Sequence, residues 1–177
     1  MRKSGGWAEL TSVLLSIKPK YADAIMDGSK GYEFRKSLFR NGSIERVFVY
    51  STSPVQMVVG AFEIGGIIHD HPENLWETLH GCAGIDEIDF FRYFAGRSEG
   101  FAIEVKGPQE FGEPVDPWAL DPTFVPPQSF RYVDWVLSRG GGGVHLATAR
   151  DVALSPRRSH QLDSRVQPPL RTPATSL

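Results

Sequence analysis

An α+β fold is the architecture this sequence predicts, as a small mixed β-barrel with helices on its flanks. Five or six short segments rich in β-branched and aromatic residues recur between Val13 and Val133. One helical pattern lies between the first two of them and two more lie between the fourth and fifth. Gly60, Gly65 and Gly66 interrupt the longest strand where a sheet would have to bend or bulge.

Residues 13–17 (VLLSI) form the first strand, an apolar run suited to burial on both faces. A short helix follows from Pro19, a residue tolerated in the first turn because its missing N–H is unpaired there anyway. Tyr21 and Ile25 are four apart and share a face. Gly28 supplies the left-handed residue that commonly ends a helix, and residues 31–36 alternate as a second strand. Residues 44–51 and 57–64 make the third and fourth strands. The period then changes: Leu75, Trp76 and Leu79 mark one face of a helix closed by Gly81. Asp86 caps another, over residues 87–94, with Ile88, Phe91 and Phe94 turned inward. Residues 101–106 give a fifth strand, 111–120 read as an irregular proline-punctuated segment, and a short strand ending at Val133 closes the sheet.

The expected organisation is an N-terminal extension over residues 1–11, one domain over 12–133, and a tail over 134–177. In the tail the glycine run 140–143 reads as a flexible linker. Beyond it come prolines, serines and five arginines (Arg150, Arg157, Arg158, Arg165 and Arg171), a composition suited to disorder with a short helical segment near 145–152. This mildly basic tail is a candidate contact for a protein partner or a polyanion.

Composition narrows the function. The chain has 177 residues, 41% of them hydrophobic, enough for a core, and a formal charge of −2, which argues against nonspecific coating of nucleic acid. Cys82 is the single cysteine, so no intramolecular disulfide or four-cysteine zinc site is available. No apolar run approaches the roughly 20 residues of a membrane span, and no signal-peptide pattern opens the chain. A cytoplasmic protein without membrane contact is expected. His69-Asp70-His71 lacks the third and fourth ligands of a closed metal site, and no phosphate-binding glycine loop or serine nucleophile elbow occurs. Neither metal nor cofactor is expected.

The most informative stretch is Gly28-Ser29-Lys30-Gly31-Tyr32-Glu33-Phe34-Arg35. It sets two cations around one carboxylate at a helix-to-strand junction, with Glu33 and Arg35 on one strand face. Lys30 can hold a phosphate as a point charge, or serve as a general base if burial lowers its pKa. Glu33 can accept from a base edge, orient Lys30, or neutralise Arg35. The planar fork of Arg35 suits phosphate or carboxylate, and equally suits fixing Glu33. Tyr32 and Phe39 can stack on a base, although core packing is the commoner fate of aromatics. Ser51, Thr52 and Ser53 form a polar loop able to donate to a ligand near the cleft.

The complete G-x-K-x-x-E-x-R pattern of Gly28, Lys30, Glu33 and Arg35, with the preceding Leu15-Ser-Ile-Lys-Pro-Lys-Tyr-Ala and the later Pro126-Pro-Gln-Ser-Phe130, resembles the ASCH domain family of the PUA-like superfamily. The similarity spans residues 12–133. It implies a barrel with flanking helices, a cleft lined by the motif, and binding of RNA or a nucleotide in translation or transcription control. Some similar small members are enzymes, amidohydrolases on N4-acetylcytidine or ribonucleases, so Lys30 and Glu33 are the catalytic candidates if this chain is one. In the amidohydrolase branch a threonine stands where this chain has Glu33; a carboxylate lacks that hydroxyl, so that mechanism does not carry over. Asp86 or Glu87 is the candidate second carboxylate. The alternatives to binding are therefore a hydrolase on a modified nucleoside or RNA, and a protein-interaction module.

Overall fold

The structure, a computed structural model, describes residues 12–140 and 143–148. Its centre is a mixed six-stranded sheet made of β1 (Ser12–Ile17), β2 (Tyr32–Arg35), β3 (Arg46–Ser51), β4 (Met57–Asp70), β5 (Gly100–Val115) and β6 (Phe130–Val133). The strand order is β2-β5-β4-β3-β1-β6. The β1–β3 pair is parallel and the other pairs are antiparallel. Helix α1 (Pro19–Met26) joins β1 to β2, and α2 (Pro72–Leu79) and α3 (Glu87–Phe94) sit between β4 and β5. A short α4 (Pro117–Leu120) precedes β6.

Side-chain alternation divides the core among three clusters. Val13, Leu15 and Ile17 of β1 and Val47 and Val49 of β3 pack with Ile25 of α1, Phe62 and Ile103 on one sheet face. Leu14, Phe48 and Tyr50 point to the other face, which explains the uninterrupted apolar run of β1. Phe34 of β2 and its register partner Ala102 of β5 meet α2 and α3, with Leu75, Leu79, Phe90 and Phe94 completing that cluster. The inward residues of α3 are thus Phe90 and Phe94. Ile88, expected inside, is 71% exposed. Consecutive aromatics make the helical phase ambiguous in sequence, and contact with Phe34, at 4.9 Å from Phe90 ring to ring, sets it.

The two central strands are longer than the sequence pattern suggests. β4 continues through the Gly65-Gly66 pair to Asp70, and β5 runs on through the segment expected to be irregular. Register shifts occur at Val58/Gly60, Ala61/Glu63 and Ile64/Ile67, so the long ribbon bends instead of ending. Gly60 lies where a Cβ would come within 2.6 Å of the Gln109 carbonyl. Ladder pairing with β4 overrides the proline and glycine punctuation of residues 107–114.

A second departure follows Val133. Residues expected to open a flexible tail form β7 (Trp135–Gly140) and β8 (Gly143–Thr148), an antiparallel ribbon. Gly140 and Gly143, from the run read as a linker, are the last pair of this ribbon. Trp135 and Leu146 are buried with Phe48, Tyr50 and Phe124 against the outer sheet face. The expected helical segment near 145–152 is a strand as far as Thr148. Residues 149–177, with the five tail arginines, lie outside the described residues, as do 1–11.

Because Trp135 packs edge-on against Phe48 at 5.8 Å, Trp135→Ala is expected to cost about 3–5 kcal/mol. Chemical denaturation checks this, and an unchanged midpoint would mean that the ribbon does not contribute to the fold.

Candidate functional site

The motif glycine works as the end of α1. Gly28 adopts a left-handed φ of +82°, its N–H donates to the Ile25 carbonyl, and the Lys30 N–H returns to Ala24 O at 2.8 Å. The chain is then pinned on both sides. Gly31 N–H donates to Cys82 O at 2.8 Å, and Gly31 O accepts from Val105 N at 2.9 Å. Gly84, at φ +60°, lies so near that a Cβ would come within 2.8 Å of Lys30 Cα. Lys30 is therefore positioned by α1, β5 and the 3-10 turn at His80–Cys82 together.

The three charged motif residues are buried, with Lys30 2%, Glu33 6% and Arg35 8% exposed. Lys30 Nζ donates to the Ala83 carbonyl at 2.7 Å and lies 3.9 Å from Glu33 Oε2. It also sits over the rings of Phe34 and Tyr21, 4.8 and 5.4 Å from their centroids, contacts that favour a cation. Arg35 Nη1 donates to Glu33 Oε1 at 3.4 Å and to Ser16 O at 3.3 Å. Its Nη2 donates to Ser129 O at 2.7 Å and to Ser129 Oγ at 2.8 Å. Glu33 thus stands between two cations, and a protonated Lys30 leaves the trio with one net positive charge.

Burial dominates the titration of Lys30. Loss of solvent pushes its ammonium below the ordinary lysine value of 10.5, and the Glu33 carboxylate partly opposes that shift. Burial also raises the Tyr93 phenol, with Glu33 adding to the rise and Arg35 acting against it. The Tyr93 hydroxyl accepts from the Lys36 N–H at 3.3 Å.

The structure brings Lys30, Glu33 and Arg35 together as the motif suggests, with Gly28 at the helix end. It does not bring Tyr32 to them. Glu33 and Arg35 turn toward the face of Ile103, whereas Tyr32 joins Phe34 in the cluster under α2 and α3. Phe39 packs edge-on against Phe130 in the core. Asp86 caps α3 through the Asp89 N–H. The α3 carboxylate that faces α1 is Asp89, bonded to Lys20 Nζ at 2.7 Å and within 3.4 Å of the Tyr21 hydroxyl. Ser16, Ser129, Tyr93 and Asp89 were not identifiable as neighbours of the motif. Their separation in sequence hides them, although Ser129 lies inside the Pro126–Phe130 stretch already noted.

The remaining polar clusters have local roles. His71 caps α2 by accepting from Glu73 N, Asp70 accepts from His71 N and Asn74 Nδ2, and His69 stacks on Phe101 at 4.4 Å. Among the described residues no group of three or more His, Cys, Asp or Glu side chains could hold a metal ion. No helix among them is long and apolar enough to cross a membrane. A surface hollow lined by Ile44, Glu45, Arg46, Glu63 and Ile64 opens at the opposite end of β1 and β3 from Ser16.

No family model matches the chain. Among curated proteins, an ASCH domain-containing ribonuclease from Zymomonas mobilis is 29% identical over 126 residues, or 68% of this chain and 82% of that one. The crystal structure of ASCH from Zymomonas mobilis matches with a TM-score of 0.64 at 26% identity, covering 71% of this chain and 89% of the other. The chain is similar in sequence and in fold to these ASCH proteins. A crystal structure of a point mutant of the same Zymomonas protein gives a TM-score of 0.65 at 25% identity, over 70% and 90% of the two chains. The α+β architecture of the chain, a mixed sheet with flanking helices, is that of these neighbours.

Two outcomes follow for the charged trio. Arg35→Met removes every bond from Arg35 to Ser16 and Ser129 and leaves Glu33 without its closer partner, so a loss of about 3–5 kcal/mol is expected in urea unfolding. Lys30 binds its proton less tightly when folded than when unfolded. Stability therefore rises with pH between its lowered pKa and 10.5, and the destabilising contribution is fully present below that window. Unfolding of Lys30→Met alongside wild type from pH 7 to 10.5 checks this, because the variant is expected to lack that rise.

Proposed function

We propose that this ASCH domain binds RNA or a nucleotide, with Lys30 and Arg35 meeting a phosphate and Glu33 holding the two cations in place. The observation that carries the reading is the state of Lys30. Its buried ammonium has three N–H donors, and among the described residues it donates one hydrogen bond, to Ala83 O, while Glu33 stays at 3.9 Å. A cation with donors to spare, beside a guanidinium that adds a second positive charge, suits an anionic group. The name of the Zymomonas relative, a ribonuclease, supports RNA as the source of that anion. The sheet, curled so that Arg35 reaches from β2 to β1, supports a PUA-like barrel carrying this site at one end. Tyr32 is not needed in this reading, and a role for the tail in protein contact falls outside the described residues.

A second reading is cleavage of the RNA. It is favoured by the lowered pKa of Lys30, which eases the neutral amine that a general base requires, and by the relative's name. Lys30 would take the proton from the attacking hydroxyl, and Arg35 would offset charge building on the phosphoryl oxygens. Glu33 would hold Lys30 in place. Amide hydrolysis on acetylcytidine has less support, because Glu33 occupies the threonine position.

Fluorescence anisotropy with short single-stranded RNA and a nucleotide panel tests both readings. Lys30→Gln is expected to weaken binding roughly tenfold or more, the scale of one charged hydrogen bond, with wild-type affinity falling as salt rises. Full-length RNA on a gel after long incubation supports binding alone. RNA shortening that increases with pH and is lost in Lys30→Gln supports cleavage. Lack of affinity for every RNA and nucleotide tried would overturn both.

A further inference from the structure

Most of the groups that meet Lys30 Nζ belong to buried residues: the Ala83 carbonyl, the Glu33 carboxylate and the Phe34 ring. The exception is the ring of Tyr21, a half-buried residue of α1 whose centroid lies 5.4 Å from the ammonium. An aromatic face within about 6 Å attracts a cation, and more strongly where water is excluded. Lys30, at 2% exposure, meets that condition.

The Tyr21 ring is itself held in place. It packs against the cluster of Ala22, Ile25 and Ile103, and its hydroxyl lies 3.4 Å from Asp89 Oδ2 of α3. Lys20 Nζ approaches the same ring, 4.7 Å from the centroid. Left alone, that second ammonium would repel Lys30. Asp89 answers its charge at 2.7 Å and takes Arg92 at 2.7 Å on its other oxygen. Asp86 is engaged as the cap of α3. From β2, Glu33 stands between Lys30 and Arg35, and Cys82 turns its thiol to the Leu79 carbonyl.

We propose that Tyr21 is a positioning residue for Lys30, its ring face holding the ammonium charged and in place for a phosphate of an RNA ligand. The proposal rests on the nucleotide-binding reading above, in which Lys30 meets that phosphate. Burial works against the charged form of Lys30. The ring counters this without adding negative charge. A second carboxylate in its place would favour the ammonium equally and repel the phosphate.

The test keeps the shape of the ring and changes its electrons. Tyr21→Phe removes the hydroxyl contact to Asp89 and keeps the face, so Lys30 is expected to titrate near wild type. Phenylalanines carrying one, two and three ring fluorines at position 21 then weaken the face stepwise, with the melting temperature level. Carbon NMR of the Lys30 side chain, assigned with Lys30→Gln, is expected to show its pKa falling along the series. The whole fall is about one pH unit, the size of a buried cation–π contact. Affinity for fluorescein-labelled oligouridine RNA is lost as pH rises through the Lys30 pKa, and that loss is expected to move to lower pH in step. Tyr21→Leu, with apolar bulk and no π face, is expected to match the most fluorinated ring. A Lys30 pKa that stays fixed across the series overturns the role of the ring. A shift in Tyr21→Phe as large as in Tyr21→Leu also overturns it, because the hydroxyl and not the face would then act. A pKa that falls while the pH profile of RNA binding stays put overturns the link from the ring to the ligand. Wild type that binds neither oligouridine nor uridine monophosphate overturns the nucleotide-binding reading, and the Lys30 titration then still decides whether the ring holds the ammonium.

Discussion

A guanidinium on one end strand holds the other end of the sheet. Arg35 belongs to β2, first in the strand order, yet its donors reach Ser16 of β1 and Ser129 just ahead of β6, at the opposite end. Those contacts require the sheet to curl, and the register shifts along β4 and β5 are where the long central ribbon supplies the bend. A side chain thus links strands that no backbone ladder joins in the observed order. The planar, forked geometry of Arg35 suits the task, because one group serves Glu33 and Ser16 on one nitrogen and Ser129 on the other.

That linkage places charge in the interior. Desolvating three ionised groups is costly, and such trios seldom outperform well-packed apolar residues for stability alone. Glu33 eases the cost for both neighbours, and the aromatic rings of Phe34 and Tyr21 add favourable contacts to Lys30. Even so, Lys30 remains under-bonded and its proton is held less tightly than usual. Gly84 lets the backbone approach this ammonium's own chain closely, since a Cβ there would come within 2.8 Å of Lys30 Cα. Arg35 is a structural clasp with bonds on both terminal nitrogens, whereas Lys30 is the less fully bonded of the two cations.

Much of this domain was legible in its residues. The helix begun by Pro19 and ended by Gly28, the capped helix after Asp86, the buried first strand and the motif trio follow from local propensity and spacing. The full lengths of β4 and β5 do not, since pairing between them carries the strands across glycines and prolines that locally read as stops. The α3 face was misjudged at Ile88 because four apolar side chains in a short helix permit more than one phase. The ribbon after Val133 was masked by a glycine run that suits a linker and a hairpin reversal alike, and the buried Trp135 and Leu146 decide between them.

The sequence by itself determined that Lys30, Glu33 and Arg35 belong together, because a helix end and a period-two strand fix their spacing within a few residues. Only the tertiary structure decided what surrounds them: Ala83 on the lysine, and Ser16 and Ser129 on the arginine. Those partners lie between 19 and 94 residues away in sequence from the group each meets. No local preference encodes such contacts. They arise when the sheet curls and its two ends share one interior.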